Sequence, residues 1–383
     1  LGAIGAVLAV ASSAVAQAND EVFPRLKWNF WTPGARASGM GTTFIGIADD
    51  ATATVANPAG LVRLTRPQVY FEYKNVNLEV NRLADVDAFV TLDPTSFSTN
   101  VSSLSFLSAS MPIGERLAVG FPPHQFLNYQ ETFSLAPRGV PATFSRSDFA
   151  LFAVDGEADF RGVTWAGTVS LAVTDRFDVG FTFGMNQLSA ESLAQRTNVA
   201  FGGAFPSDPT ALTDTGIIAN ETSIDDSDSA PSFGFGALYR ASETLSVGFN
   251  FVKGPRFTVS ETQHLNPGFP DFNSLPLIEA VGFPKDVAIN VPNRIGVGVA
   301  YRPVPRLLVG IDAVRIGYSS LVEDFTLIFD FGVLTGDEYT IDDVTEVHVG
   351  AEYNVITGSS PVFIRAGFFT NPNHSVRFNG TAP

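Results

Sequence analysis

With 383 residues, no cysteine and a formal net charge of −16, the chain leaves no room for a disulfide scaffold or thiolate metal sites. The acidic balance also argues against nucleic acid, whose phosphates demand a basic face. Charged residues are 16% of the chain, below the roughly 25% of soluble domains, yet beyond the N-terminus no apolar run reaches the about 18 residues a spanning helix needs. The apolar content, including 34 phenylalanines, is spread through short alternating segments.

Residues 1–18 read as a secretory signal peptide. Leu1 to Ala16 is apolar and small, and Ala16-Gln17-Ala18 gives an A-x-A cleavage pattern. No stop-transfer charges follow, which disfavours a short membrane anchor. The initiator Met and basic n-region are missing, so the sequence is expected to start inside its gene. Residues 19–67 do not alternate. They are small and turn-rich, from Gly34 to Gly41 and again from Ile47 to Leu61, and predict short helices and tight turns. Such a segment would lie beneath a barrel or plug its lumen.

From residue 68 the dominant signal has period two. Val163, Trp165, Gly167, Val169, Leu171 and Val173 alternate with small or polar residues; Thr174-Asp175-Arg176 turns the chain; Phe177, Val179, Phe181 and Phe183 follow. The same hairpin pattern predicts eleven strands, at about 68–79, 102–111, 115–124, 160–174, 176–190, 231–240, 244–260, 292–302, 306–320, 345–354 and 361–370. Five connections are short turns. Five are long, at 80–101, 125–159, 191–230, 261–291 and 321–344. Strands of this length, with one bulky apolar face and Tyr70, Tyr73, Tyr239, Tyr301, Tyr318 and Tyr353 near their ends as an aromatic girdle, suit a bilayer crossing at a tilt. The expected fold is all-β: a transmembrane antiparallel up-and-down β-barrel over 68–383, closed because a bilayer tolerates no open sheet edge. Single-chain bacterial barrels have even strand numbers. The odd count predicts either a C-terminus cut short or further strands within 126–158 or 324–334.

Few residues carry chemistry. His124, His264, His348 and His374 lack metal-ligand spacing, and no Gly-x-Ser-x-Gly, His-Glu-x-x-His or Walker pattern occurs. Neither an enzyme nor a cofactor is expected. Asp49-Asp50 reads as a turn or cap in preference to paired acid/base carboxylates. The long connection 261–291 holds Leu265, Phe269, Phe272, Leu275, Leu277, Ile278, Val281 and Phe283. That cluster predicts either an apolar ligand site or loops packing on one another. Lys253, Arg256 and Lys285 flank it as candidate partners for a ligand carboxylate.

Gly39-Met40-Gly41, then Ala48-Asp49-Asp50-Ala51 and Asn57-Pro58-Ala59-Gly60-Leu61, resemble the N-terminal hatch of the FadL/TodX family. Val291-Pro292-Asn293-Arg294-Ile295-Gly296-Val297-Gly298-Val299-Ala300-Tyr301-Arg302-Pro303 is similar to that family's Leu-Pro-x-x-x-x-Gly-Val-x-Tyr-Arg-Pro strand, with Val-Pro-Asn where Leu-Pro-Ala is usual. Ile364-Arg365-Ala366-Gly367-Phe368 resembles its Leu-Arg-Ala-Gly-Tyr strand. The resemblance covers nearly the whole chain. It implies an outer-membrane transporter of long-chain fatty acids or aromatic hydrocarbons, embedded in outer-membrane lipid as a monomer, with a hatch in the lumen beside a lateral opening. It also implies fourteen strands, three of them after the Arg-Ala-Gly strand. PorV-like secretion shuttles share the Ala-Asp-Asp-Ala…Asn-Pro-Ala-Gly-Leu pattern, so a partner-binding barrel is the alternative. A barrel lipase or protease is disfavoured by the scattered histidines.

Overall fold

The computed structural model describes residues 26, 28–82, 95–135, 152–201, 212–267, 277–279, 285–322, 327–329, 332–334, 339–358, 360–374 and 377–378. The signal-peptide region lies outside them. Alternating residues fold into long antiparallel strands: β1 Gln68–Arg82, β2 Thr95–Ile113, β3 Leu117–Phe121, β4 His124–Leu135, β5 Phe152–Ala172, β6 Phe177–Phe201, β7 Leu212–Arg240, β8 Leu245–Lys253, β9 Arg256–Leu265, β10 Ile278–Glu279, β11 Lys285–Asn290, β12 Arg294–Val304 and β13 Leu307–Ile316. After one pair of three-residue strands, β14 Leu327–Phe329 with β15 Gly332–Leu334, come β16 Tyr339–Thr340, β17 Val344–Ile356, β18 Val362–Phe369 and β19 Arg377–Phe378. Fifteen of these form one sheet, ordered β1-β2-β3-β5-β6-β7-β8-β12-β13-β17-β18; its end strands β1 and β18 are not paired with each other, so the expected closure is not seen among the described strands.

That order has eleven positions, matching the eleven strands expected, because the off-path pieces β4, β9 and β10 with β11 extend β3, β8 and β12. β3 continues as β4 beyond Pro122-Pro123, β8 as β9 beyond Gly254-Pro255, and β11 as β12 beyond Val291-Pro292-Asn293. Proline donates no ladder hydrogen bond, so it breaks a strand where it falls. The last two breaks are tied together: Val291 N donates to Pro255 O at 3.0 Å and Gly254 N to Asn293 Oδ1 at 3.0 Å.

The strands also run well into segments expected to be loops. β5, β6 and β7 enter 125–159 and 191–230, and β14–β15 is a separate hairpin, not a twelfth wall strand. The physical reason is an inversion of sidedness. Across β5, β6 and β7 the registers align Trp165, Met185 and Pro231 in one row. Below it the exposed face is apolar, with Val169, Phe181, Phe183, Phe233 and Phe235. Above it the same face carries Arg161, Ser189 and Ser227, then Asp159, Glu191 and Asp225. The inward face changes in the opposite sense. Thr164, Thr168 and Asn186 give way to Phe160, Leu188 and Ile224, which join Phe126, Leu127, Tyr129, Phe257, Val259 and Ile289 in a buried cluster. The apolar belt ends below at exposed Tyr239, Tyr301 and Tyr353. From Pro231 to Tyr239 the belt has the length of about 9–11 residues that a tilted strand needs to cross a bilayer. Two expected girdle residues do not belong there. Tyr318 is buried and stacks on His374 at 4.1 Å, and Tyr70 turns toward Gly34.

This division makes a prediction. Phe183→Lys, within the belt, should cost about 2–4 kcal/mol, and Ser189→Lys, above it, about 0–1 kcal/mol. Urea titration of the protein folded into lipid vesicles measures both, and equal costs would contradict a lipid-facing belt.

Candidate functional site: the hatch seat and the cavity above it

The segment before β1 folds inside the wall as α1 Ala35–Gly39, α2 Ala53–Ala56 and a 3-10 helix Pro58–Arg63. Small residues allow it. Ala37, Ala48, Ala51, Ala53, Ala56 and Ala59 are buried, as are Met40, Phe44 and Leu61. The wall meets it with glycine: a Cβ at Gly248 would collide with Ile45 O, and one at Gly180 with the backbone of Pro58 and Ala59. The alternating small face read in the sequence is therefore the seat of the hatch.

Polar wall residues satisfy the hatch backbone, as buried amides and carbonyls require. Asp312 accepts Phe44 N at 2.6 Å and Ile45 N at 2.9 Å. Ser246 and Asn250 donate to Gly46 O and Ala56 O, each at 2.7 Å. Ser170 donates to Ala59 O at 2.8 Å and accepts Val62 N at 3.1 Å. His348 Nδ1 lies 2.7 Å from Thr42 Oγ1 and 2.9 Å from Gly41 O. Arg63 pairs with Asp178, its Nε 2.6 Å from Oδ2.

The motif residues hold this arrangement together. Asn57 is fully buried; its Nδ2 donates to Ile45 O at 2.9 Å and to Ala237 O at 3.1 Å, while its Oδ1 accepts Ala59 N and starts the 3-10 helix. It thus fastens two parts of the hatch to each other and to β7. Gly60 packs on Ala48, and Leu61 on Ala118 and Ala172. Asp50 accepts Thr52 N at 2.9 Å, an Asx-type turn. Asp49 pairs with Arg36 at 2.5 Å, and Arg36 also binds Glu352 at 2.9 Å. Burial works against the Arg36 charge, but Asp49 and Glu352 outweigh it and raise its pKa above the ordinary arginine value. Both carboxylates of the pair are structural.

Above the hatch lies a cavity of about 60 Å³, bounded by Thr54, Val55 and Pro58 below, by Thr164, Thr182 and Asn186 on the wall, and by the proline breaks at Pro122, Pro255 and Pro292. Arg294 borders it from the inward face of β12, a residue the sequence reading absorbed into a strand motif. Its position on the small-residue register, with Gly296 and Gly298, was the available signal. The guanidinium stacks on Phe30 at 4.4 Å and donates to Phe30 O at 3.2 Å, and its Nε finds no hydrogen-bond partner among the described residues. Of the three flanking cations, Lys253 borders the cavity from the exposed end of β8 and Arg256 lies on the exposed face of β9. The Lys285 side chain is outside the described residues, as are Phe269, Phe272, Leu275, Val281 and Phe283. Leu265 pairs with exposed Ile278 at the end of β9, beside half-buried Leu277. The histidines stay apart, and no cluster of three metal-capable side chains occurs among the described residues.

The wall is interrupted beside this cavity. Beyond the Pro122-Pro123 break β4 pairs with β2 only at His124 and Phe106. The chain before α1 fills the space: Trp28 bridges to Leu127 and Asn29 N donates to Phe126 O at 2.8 Å.

Over residues 30–373 the sequence matches the family described as outer membrane protein transport protein (OMPP1/FadL/TodX). The chain belongs to that family. Among solved structures it resembles a FadL homologue of Pseudomonas aeruginosa at 14% identity and a TM-score of 0.55, covering 85% of this chain and 77% of that one. The Pseudomonas putida toluene transporter TodX matches at 13% and 0.56, covering 88% and 83%. CymD, a monoaromatic hydrocarbon channel, matches at 14% and 0.57, covering 91% and 86%. No curated protein matches the sequence. The family and these structures are transport channels, not enzymes.

Because Asp312 serves two hatch amides at once, Asp312→Ala should cost about 2–5 kcal/mol of hatch anchoring by leaving them unpaired. Faster proteolysis within 28–66 and a larger single-channel conductance are the expected readouts; unchanged values of both would remove Asp312 from the hatch seat.

Proposed function

We propose that this protein is an outer-membrane channel for uptake of hydrophobic compounds, with long-chain fatty acids as its ligands. The observation that carries the ligand class is Arg294, a cation facing the cavity with no ion pair among the described residues. A half-buried guanidinium that no acidic side chain reaches at ion-pair distance is costly to desolvate, Glu346 acting on it only from farther off, and a bound carboxylate would supply a direct partner. Val55, Pro58, Phe126 and Val252 give the tail apolar walls. Leu265, Leu277 and Ile278 form part of the apolar loop surface that first captures the ligand.

The cavity's size supports a gated mechanism. An engineered protein cavity of about 150 Å³ takes one benzene, more than twice the volume present here. No fatty acid fits until the structure yields. Thr54, Val55 and Pro58 form the cavity floor, so a shift of the hatch enlarges it. The sparse pairing of β2 with β4 then offers an exit sideways through the wall. An apolar path of this kind spares the ligand a crossing of hydrated surface.

Arg294→Gln should weaken palmitate binding about 10–100-fold, the loss of one charge-assisted contact, and leave toluene binding unchanged. Tryptophan fluorescence titration of the detergent-extracted protein reads both. Equal losses for the two ligands, or none for palmitate, would shift the ligand class to neutral hydrocarbons.

A further inference from the structure

The barrel wall has a second interruption, on the far side of the cavity. β7 pairs with β8 from Phe233↔Lys253 downward and with β9 from Ile224↔Glu261 upward. Between these ladders, over Asp225–Ser232 of β7 and Gly254–Ser260 opposite, no backbone pairing joins the strands. Two carboxylates take its place. Asp226 accepts Ser227 N at 2.7 Å through one oxygen and Ser260 N at 2.9 Å through the other. Asp228 accepts Ser229 N at 2.7 Å and Thr258 N at 2.8 Å in the same way. Each carboxylate stands between two rows of amides that would otherwise face each other. A direct ladder holds strands about 4.7–4.9 Å apart, and an interposed carboxylate requires more.

Three features give this seam a use. Its lower end is the Gly254-Pro255 break, and Ser232, Phe233, Gly234, Gly254 and Pro255 all border the cavity. It runs upward from the Trp165–Met185–Pro231 row, where the outer surface changes from apolar to polar. Finally, exposed Ser227, Ser229, Thr258 and Ser260 face outward, while Ile224, Phe257 and Val259 stand buried directly behind. At this height water can solvate the amides when the carboxylates let go, so the seam opens without the penalty it would meet inside a bilayer.

We propose that the seam between β7 and β9 is a second side passage, through which the apolar chain or ring of an amphiphile held at headgroup level enters the cavity. The two carboxylates close it and repel an anionic head, so entry is tail first. The proposal rests on the uptake reading only for the direction of traffic.

The chain has no cysteine, so Ser232→Cys places one thiol behind the seam. Its rate of modification by a membrane-impermeant sulfonated maleimide is measured with and without Asp226→Ala and Asp228→Ala, in protein whose heat-modifiable mobility shows a folded barrel. The rate should rise about tenfold when the carboxylates are removed. Asp226→Asn with Asp228→Asn, which keeps the side-chain size, should act in the same direction if the alanine pair fails to fold. Equal rates in all backgrounds would overturn the passage. In a second arm, a reducible bis-methanethiosulfonate cross-link between Ser227→Cys and Thr258→Cys, opposite one another in the register that Ile224↔Glu261 sets, should lower palmitate uptake into vesicles, and reduction should restore it. Full uptake by the cross-linked form would also overturn it. If the unsubstituted protein takes up no palmitate, the uptake reading fails while thiol accessibility still decides the seam.

Discussion

Every backbone N–H and C=O of this protein must find a partner, on the lipid side of the wall and on the lumen side alike. The strands answer the first demand with antiparallel ladders from β1 to β18. The second is harder, because a plug of short helices leaves many amides and carbonyls unpaired within itself. The wall meets it with side chains: Asp312, Ser246, Asn250, Ser170 and His348 each bind hatch backbone. The same condition explains the glycines of the inner face, since backbone-to-backbone approach leaves no space for a Cβ at Gly180 or Gly248.

That accounting is incomplete in one region of the wall. Prolines break three strands around one cavity. Each break removes ladder bonds, and the substitutes are weaker or more easily exchanged. Beside β4 the substitute is the chain around Trp28 and Asn29. Between β7 and β9 it is a pair of aspartates. The hatch is fastened at many points, and part of its upper surface, Thr54, Val55 and Pro58, also borders the cavity. A long sheet wrapped around a hatch, with local weaknesses around one cavity, suits a channel that admits apolar molecules.

Arg294 and the hatch motif differ in how they could be recognised. Asn57 and Pro58 stood out because their pattern resembles a family hatch, and the structure gives the reason: one buried amide serves both Ile45 and Ala237. Arg294 lay within a strand whose pattern was already accounted for. What sets it apart is that no acidic side chain reaches ion-pair distance among the described residues, Glu346 acting on it only from farther off, and that depends on which strands and loops converge there. Lys253 and Arg256, chosen for their place beside an apolar loop, fall on exposed faces because a break at Gly254-Pro255 separates their strands.

Sequence alone determined the eleven wall positions, the apolar belt and the nature of the plug. Period-two alternation is set residue by residue, and greasy positions have only lipid to face when the partner face is glycine, serine and threonine. It did not reveal how far the strands extend past the belt. There the apolar face turns inward, so Leu188 and Ile224 continue strands that the outward pattern had ended. Tertiary structure decided the cavity, the cation beside it and the two interruptions of the wall. The cavity and its cation join residues more than a hundred positions apart, Phe30 with Arg294 among them, and only the folding of distant strands around the hatch brings them together.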